Sequence, residues 1–171
     1  DEVLSTRNMI WLSLARRGAV AHVDASKKSV AQARDNAELS GMGDAPVRWL
    51  VDDAAKFAAR EVRRERGYDG IILDPPKFGR GPKNETWRIE ESLAPLIADC
   101  RQLLDEDSRF LFLTAYAVRM SSLSLAGLLD EQFAALPGRV EHGELAVREA
   151  PAPGTETRRI LPTAIFARWA N

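Results

Sequence analysis

The sequence predicts an α/β protein built on a doubly wound, mostly parallel sheet that ends in an antiparallel β-hairpin. Short apolar segments that favour strands alternate with longer segments of helical periodicity, as expected when helices cover a parallel sheet. Near the carboxyl terminus two strand segments follow each other with a short link. Such strands must pair antiparallel, because parallel strands need a longer crossover. The chain of 171 residues is long enough to form one domain with its own core.

The first half of the chain alternates three predicted helices with three predicted strands. Ser26 is a good N-cap for the second helix, because its hydroxyl can accept a hydrogen bond from an unpaired backbone N–H group. Glycine follows each helical segment and commonly ends helices. The helices are predicted at Met9–Arg17, from Ser26 to about Gly41, and at Ala54–Arg66. The strands are predicted at Ala19–Asp24, Val47–Val51 and Asp69–Asp74.

The second half of the chain begins with a loop rich in glycine, proline and lysine, which we expect to run from Pro75 to about Asn84. An apolar stripe predicts a helix after this loop. Proline is tolerated only in the first turn of a helix, so Pro95 predicts that the main helix starts near Ser92. The remaining elements are predicted as a strand at Arg109–Ala115, a helix at Ser122–Leu136, and strands at Val140–Arg148 and Ile160–Trp169 joined by a turn at Pro151–Glu156.

Composition limits the possible functions. The formal net charge of −1 gives no overall attraction to nucleic acid, so any such contact must come from a local patch. We find no apolar run long enough to span a membrane and no secretory leader, and we expect a cytoplasmic protein.

Cys100 is the single cysteine and cannot form an internal disulfide, which suits a reducing compartment. His22 and His142 have no partner at metal-ligand spacing, so we expect no metal site. The sequence indicates no oligomeric state.

Acidic residues stand at the carboxyl ends of the first two predicted strands. Ligands of open α/β sheets bind at the carboxyl ends of the strands. Asp24, beside Ala25, can accept hydrogen bonds from two ribose hydroxyls there, although a carboxylate stabilised by a helix start fits equally well and NAD enzymes use an acid in the same way. After the next strand, one acid can accept from an adenine amine while the N–H of Ala54 binds a ring nitrogen. We favour Asp53 for the adenine and Asp52 for capping the helix.

The third acid begins the most informative segment, Asp74–Phe78 (DPPKF). A buried strand that ends in aspartate and two prolines makes a stiff turn, and proline carbonyls accept hydrogen bonds although proline nitrogens donate none. Such a turn can orient an incoming nucleophile toward a methyl group. Taken alone, it fits a rigid strand-ending turn as well. Lys77, Arg80, Lys83 and Arg88 cluster around it, where they either hold RNA phosphates or form a solvated loop.

Five segments share one resemblance: VDASKKSVAQARDNAELSGM, VDDAAKF, YDGIILDPPKFGRG, LTAY and LPTAIFARW. Together they resemble the class I methyltransferases related to the 23S ribosomal RNA methyltransferases, over nearly the whole chain from Trp11 onward. A doubly wound sheet that finishes in a hairpin is the usual ending of that fold. The resemblance implies S-adenosylmethionine as methyl donor and RNA, ribosomal RNA in particular, as substrate. It implies Asp24 on the ribose, Asp53 on the adenine, and Asp74–Phe78 at the methyl-transfer centre.

We therefore predict one methyltransferase domain over residues 1–171. Three sets of residues are assigned to its site. The residues assigned to methyl transfer are Asp74, Pro75, Pro76 and Phe78. Those assigned to the cofactor are Asp24, Ala25, Asp52, Asp53, Ala54 and Asp74. Those assigned to the substrate are Lys77, Arg80 and Lys83.

The chain departs from the family in three ways. Amine-methylating enzymes often carry an aromatic residue directly after the two prolines, but here Lys77 stands there and Phe78 follows one place later, which leaves the target atom open. The Gly-rich turn that holds the methionine end of the cofactor is missing, and Ser5–Asn8 stands where it is expected. Methylation of cytosine carbon 5 needs a cysteine nucleophile, but Cys100 lies on an apolar helix stripe, so we expect direct displacement. Two other functions stay open. An NAD-dependent oxidoreductase needs a Gly-x-Gly-x-x-Gly turn, which the sequence lacks. A non-catalytic, RNA-binding module would explain the missing turn by lost cofactor binding.

Overall fold

The computed structural model describes residues 13–16, 19–80, 86–150 and 159–171, and the fold and site below concern these residues. The strands are β1 (Ser13–Arg16), β2 (Ala19–Asp24), β3 (Val47–Val51), β4 (Gly70–Leu73), β5 (Phe78–Arg80), β6 (Thr86–Arg88), β7 (Phe110–Ala115), β8 (Arg139–Arg148) and β9 (Ile160–Ala170). The helices are α1 (Lys27–Leu39), α2 (Ala54–Arg63), α3 (Ile89–Gln102) and α4 (Ser122–Phe133). No helix within these ranges is long and apolar enough to cross a membrane.

Seven strands form one sheet in the order β3-β2-β1-β4-β7-β9-β8, while β5 and β6 pair as a separate antiparallel ribbon. Within the described sheet, β2, β3, β4, β7 and β8 point in one direction, and β1 and β9 point in the other. The final two strands pair from Arg139↔Ala170 to Arg148↔Ile160. The predicted α/β sheet with a terminal antiparallel hairpin is therefore confirmed, and the sheet is mixed: β2–β3 and β4–β7 pair parallel, whereas the other four described pairs are antiparallel. The predicted turn at Pro151–Glu156 lies outside the described residues.

Helices cover both faces of the sheet, as a doubly wound fold requires. Side chains from α2, α3 and α4 share a core with one face of the strands, where Ile71, Leu111 and Trp169 are buried. Helix α1 packs against β2 and β3 instead. Its buried Val30 and Ala33 lie outside that core, so α1 covers the opposite face.

The helix predicted at Met9–Arg17 is wrong for Ser13–Arg16, which form strand β1; the rest of that range lies outside the described residues. Strands β2 and β4 run in the same direction and are separated by one strand position. Strand β1 fills this position antiparallel to both, with Leu14 opposite Ala21 and Ser13 opposite Ile72. Buried backbone N–H and C=O groups of both neighbours need partners. The hydrogen bonds that β1 makes to both neighbouring strands outweigh the weak helix propensity of its four residues.

Helix α3 begins at Ile89, before the predicted start near Ser92. Ile89 is 1% exposed, and its N–H donates to the carbonyl of Lys77 at 3.0 Å, which fixes the start of the helix. Pro95 lies inside the helix on its exposed side, where water can hydrate the carbonyl that loses its partner. The loop predicted from Pro75 to about Asn84 contains strand β5, which pairs with β6 just beyond it. Helices α2 and α4 each end three residues before their predicted ends.

Candidate active site

The order of the strands places a ligand site at the centre of the sheet. The chain moves outward from β1 through β2 to β3 and then returns to β4, so the winding reverses between β1 and β4. In open α/β sheets, ligands bind at such a reversal, outside the carboxyl ends of the strands. Asp24, Asp52 and Asp74 lie at the ends of β2, β3 and β4 at this edge. Because β1 is antiparallel, its first residue, Ser13, lies there as well.

Asp24 is fully buried at the end of β2. Its Oδ1 accepts a hydrogen bond from the N–H of Ser26 at 2.6 Å, while its Oδ2 is buried without a donor among the described residues. Burial raises the pKa of Asp24 to about 6, and the Ser26 N–H offsets part of that shift. A buried acceptor left unpaired is costly, so this oxygen suits a ligand that brings a donor. Ribose hydroxyls are such donors.

Asp53, and not Asp52, caps helix α2. Its Oδ1 accepts from the N–H of Lys56 at 2.9 Å, whereas Asp52 accepts from the N–H of Asp53 at 2.9 Å and forms an ion pair with Arg60. The predicted capping role of Asp52 is wrong because Asp53 directly precedes the first helical residue and alone reaches the third N–H of the helix. The N–H of Ala54 is the first of helix α2 and has no partner within the helix, so it can donate to a ligand.

The ends of β2 and β3 are joined, since the N–H of Asp52 donates to the carbonyl of Asp24 at 3.0 Å. The two acids assigned to ribose and adenine therefore follow strand ends that are held in fixed register, with Asp24 opposite Val51. Ala25 and Ser26 connect the first of these ends to helix α1. The predicted cofactor residues that follow β2 and β3 thus lie together.

Asp74 is the first residue after β4, and its Oδ1 accepts a hydrogen bond from the hydroxyl of Thr114 on β7. The same hydroxyl lies 3.4 Å from the carbonyl oxygen of Leu73. Burial raises the pKa of Asp74, and the hydrogen bond from Thr114 lowers it. The pKa of Tyr116 is raised by burial and by the negative charge of Asp74, so these two side chains interact. Neither Thr114 nor Tyr116 was predicted as a site residue, although both lie in the LTAY segment.

The two prolines are buried and form a braced turn. The carbonyl of Pro76 accepts a hydrogen bond from the indole N–H of Trp87 on β6 at 2.6 Å. Trp87 therefore takes one of the two acceptor positions of the Pro76 carbonyl oxygen. The carbonyl of Pro75 is the other candidate acceptor. Trp87 is a third residue of this region that was not predicted from the sequence.

The side chains after the prolines lie on the β5–β6 ribbon. Phe78 is 50% exposed, and the guanidinium of Arg88, its partner in the ribbon, lies 5.6 Å from the centre of its ring. Lys77 and Arg80 are exposed. Lys83 lies outside the described residues. Phe78 and two of the three predicted substrate-binding cations thus lie in the turn and strand that follow Asp74, within six residues of it along the chain.

Cys100 and the histidines lie outside this arrangement. Cys100 is fully buried on the core side of α3, and burial, together with the charge of Asp99, raises its pKa. His22 is buried in β2 beside Trp49, with ring centres 5.1 Å apart. Within the described ranges, no group of three or more potential metal-ligating side chains comes together.

Comparisons with known proteins agree with this geometry, although no protein-family model matches the chain. A SAM-dependent methyltransferase structure from Agrobacterium tumefaciens superposes with a TM-score of 0.82 and 44% identity, over 88% of this chain and 48% of that one. Ribosomal RNA large subunit methyltransferase I of Aeromonas hydrophila is 33% identical over 114 residues, which are 66% of this chain and 25% of that protein. The 23S rRNA (uracil(1939)-C(5))-methyltransferase RlmD of Alteromonas mediterranea is 33% identical over 69 residues, 40% of this chain and 14% of that protein.

The chain matches about a quarter of the length of the first curated relative and about half of the solved structure. The match to the solved structure covers most of this chain and reproduces its fold. The sequence matches and the fold agree on one assignment. In fold and over most of its sequence this chain is similar to an S-adenosylmethionine-dependent methyltransferase, and about two thirds of it is similar in sequence to the ribosomal RNA large subunit methyltransferases.

Proposed function

We propose that this chain is the catalytic core of an enzyme that transfers a methyl group from S-adenosylmethionine to a base in RNA. The observation that carries the proposal is the buried Oδ2 of Asp24, which has no hydrogen-bond donor among the described residues and lies where the winding of the sheet reverses. A hydroxyl-bearing ligand satisfies this oxygen, and a nucleoside cofactor brings two hydroxyls. The names of the relatives support a methyl donor as that cofactor and ribosomal RNA as the substrate.

The residues at the ends of β2 and β3 fit the nucleoside part of the cofactor. Asp24 accepts from the ribose hydroxyls, with Ala25 alongside. Asp53 accepts from the adenine amine through the oxygen that does not cap α2, and the N–H of Ala54 donates to a ring nitrogen. Asp52 is held by Arg60 and accepts from the backbone N–H of Asp53. It therefore orients the Asp53 backbone and does not contact the cofactor itself.

When bound, S-adenosylmethionine supplies a methyl group already activated by its sulfonium. The protein then needs mainly to hold the acceptor atom in line with the methyl group. Such positioning can supply a large part of the rate enhancement. Asp74 accepts the N–H of the attacking nitrogen and takes its proton as the new bond to carbon forms. The Pro75 carbonyl holds a second hydrogen of the acceptor. Phe78, which is half exposed, stacks on an extruded base.

The position of Cys100 favours direct displacement over a covalent route. It is the single cysteine of this sequence and is buried in the core of α3, and within the described ranges no cysteine lies at the ligand edge of the sheet. Methyl transfer to carbon 5 of a pyrimidine, the reaction for which RlmD is named, needs a cysteine nucleophile. We therefore place the acceptor atom of this enzyme on nitrogen.

The exposed cations beside the turn supply the contact with RNA. Lys77 and Arg80, together with Lys83 from the same segment, can neutralise phosphates near the extruded base. An enzyme with ribosomal RNA as substrate works where ribosomes are assembled, so we place it in the cytoplasm.

Calorimetric titration with S-adenosylhomocysteine, with NADH as a parallel ligand, tests this proposal. We expect saturable binding of S-adenosylhomocysteine and none of NADH. Binding of NADH alone would support an oxidoreductase. A folded protein that binds neither ligand would be a non-catalytic module, and the proposal would fail.

A further inference from the structure

The turn that follows β4 is held from outside by the segment that begins α3. The indole N–H of Trp87 on β6 donates to the carbonyl of Pro76 at 2.6 Å. The backbone N–H of Ile89, the first residue of α3, donates to the carbonyl of Lys77 at 3.0 Å. We propose that Trp87 is a positioning residue of methyl transfer, which fixes the turn that carries Asp74 and acts through that turn without contacting the substrate base. The inference rests on the proposed function and adds a residue to its machinery.

The composition of the turn explains why it needs a partner from outside. Pro75 and Pro76 have no N–H groups, so these two residues cannot close the turn with hydrogen bonds of their own. Their rings fix φ, but no ring fixes the ψ angle of Pro76, which sets the direction of its carbonyl. Both prolines are buried, where an unpaired backbone carbonyl is costly. A donor from another element therefore orients this carbonyl, and Trp87 is that donor.

The position of this hydrogen bond links it to the reacting groups. Only two prolines lie between Asp74 and the Pro76 carbonyl, and their fixed φ angles leave the chain little freedom to absorb a displacement. On the other side, the hydroxyl of Thr114 on β7 holds the carboxylate of Asp74. The turn is thus held at Asp74 from β7 and at Pro76 from β6, with the Pro75 carbonyl between them. Because small displacements of reacting groups slow a reaction steeply, losing one of these two bonds should lower turnover.

The surroundings of the Trp87 ring decide how the proposal is tested. The ring is half-buried, packs against the core on one side, and borders a hollow of about 360 Å³ between α2 and α3. Asp53, which is assigned to the adenine, lines the same hollow at the start of α2. A variant that removes the whole ring therefore alters a wall that Asp53 shares. A sharper variant removes the N–H group and keeps the ring.

Benzothienylalanine in place of Trp87 meets this requirement, because it keeps the fused rings and carries sulfur where tryptophan has N–H. Turnover at saturating S-adenosylmethionine should fall by about tenfold or more, the effect of a small displacement at the reacting centre. Affinity for S-adenosylhomocysteine, measured by calorimetry, should stay close to the wild-type value. The midpoint of the pH profile should also stay, because Thr114 still holds Asp74. The same replacement at Trp49 is the matched control and should leave turnover unchanged, since that ring lies beside His22 on β2.

Turnover is expressed per S-adenosylhomocysteine site, counted by calorimetry, which separates positioning from folding. A purely structural role would lower the unfolding temperature and the number of sites but leave turnover per site at the wild-type value, and this result would overturn the inference. A shifted pH midpoint would overturn it as well, because the bond would then act on the charge of Asp74 and not on its position. Trp87→Phe, which also lacks the N–H group, should show at least the same loss per site. A wild-type protein without any methyl transfer would instead contradict the proposed function, and the inference would fall with it.

Discussion

The hydroxyl of Thr114 donates a hydrogen bond to Oδ1 of Asp74 and thereby joins the carboxyl ends of β7 and β4 at the centre of the candidate active site. This contact opposes the effect of burial, which raises the pKa of Asp74. A hydrogen bond to the charged form stabilises it, so Thr114 helps to keep the carboxylate ionised and able to take a proton. Thr114 is thus a positioning residue, since it acts through Asp74.

Removing that hydroxyl should move the pH profile of the enzyme. In Thr114→Val, the pKa of Asp74 should rise further, so turnover should be lost at a higher pH as the solution is acidified. At alkaline pH, turnover should recover toward the wild-type value. Thr114→Ser keeps a hydroxyl and should keep the wild-type profile. A uniform loss of turnover at every pH would instead indicate a purely structural role.

Asp24 should make the stability of the ligand-free protein depend on pH. Burial raises its pKa from 3.8 to about 6, so the folded protein holds the proton more tightly than the unfolded chain. The stability contributed by Asp24 is complete below about pH 4 and is lost as the pH rises through about 6. Relative to Asp24→Asn, the wild type should lose up to about 3 kcal/mol of unfolding free energy between these limits. Urea unfolding at both pH values measures this; a gap that does not change with pH would contradict it.

Asp24 should also govern cofactor affinity. Asp24→Ala removes the acceptor of two ribose hydroxyls and should weaken S-adenosylhomocysteine binding by about tenfold or more, corresponding to about 1.5–3 kcal/mol. Wild-type affinity should fall as the pH drops through about 6, because the carboxyl is then protonated. Asp35→Ala, on the exposed face of α1, serves as the control. Unchanged affinity in Asp24→Ala would remove Asp24 from the site.

Cys100 should be dispensable for catalysis. It is fully buried in the core of α3, and burial raises the pKa of its thiol. Cys100→Ala should lower stability by about 1 kcal/mol and keep methyl transfer within a few-fold of the wild-type rate. Calorimetric unfolding and a methyl-transfer assay on the same preparation measure both. Abolished turnover in a folded variant would restore the covalent carbon-5 mechanism.

Elements that are determined by short-range sequence patterns were predicted correctly. The strand at Ala19–Asp24 and the cap at Ser26 occur as predicted, because apolar patterning and short-range hydrogen bonding determine them. Strand β1 was missed because, although β2 follows it directly, its other partner β4 lies far along the chain. Long-range pairing overrides the helix preference of so short a segment.

The same distinction holds for the candidate site. Asp24 and Asp74 were found because each directly ends or follows an apolar strand at a predictable edge. Which of Asp52 and Asp53 caps α2 depended on one residue of helix boundary, which sequence patterns do not resolve. The bonds from Thr114 to Asp74 and from Trp87 to Pro76 connect different elements, so only the folded arrangement reveals them.

The most direct test of the central claim is a pair of measurements on Asp74→Ala, using one folded preparation. Turnover at saturating S-adenosylmethionine should fall by about a hundredfold or more, the scale of a lost general base. Affinity for S-adenosylhomocysteine should change much less, because the carboxylate serves the acceptor. If that affinity collapses while turnover at saturating cofactor survives, Asp74 is a cofactor ligand and the proposed mechanism is wrong.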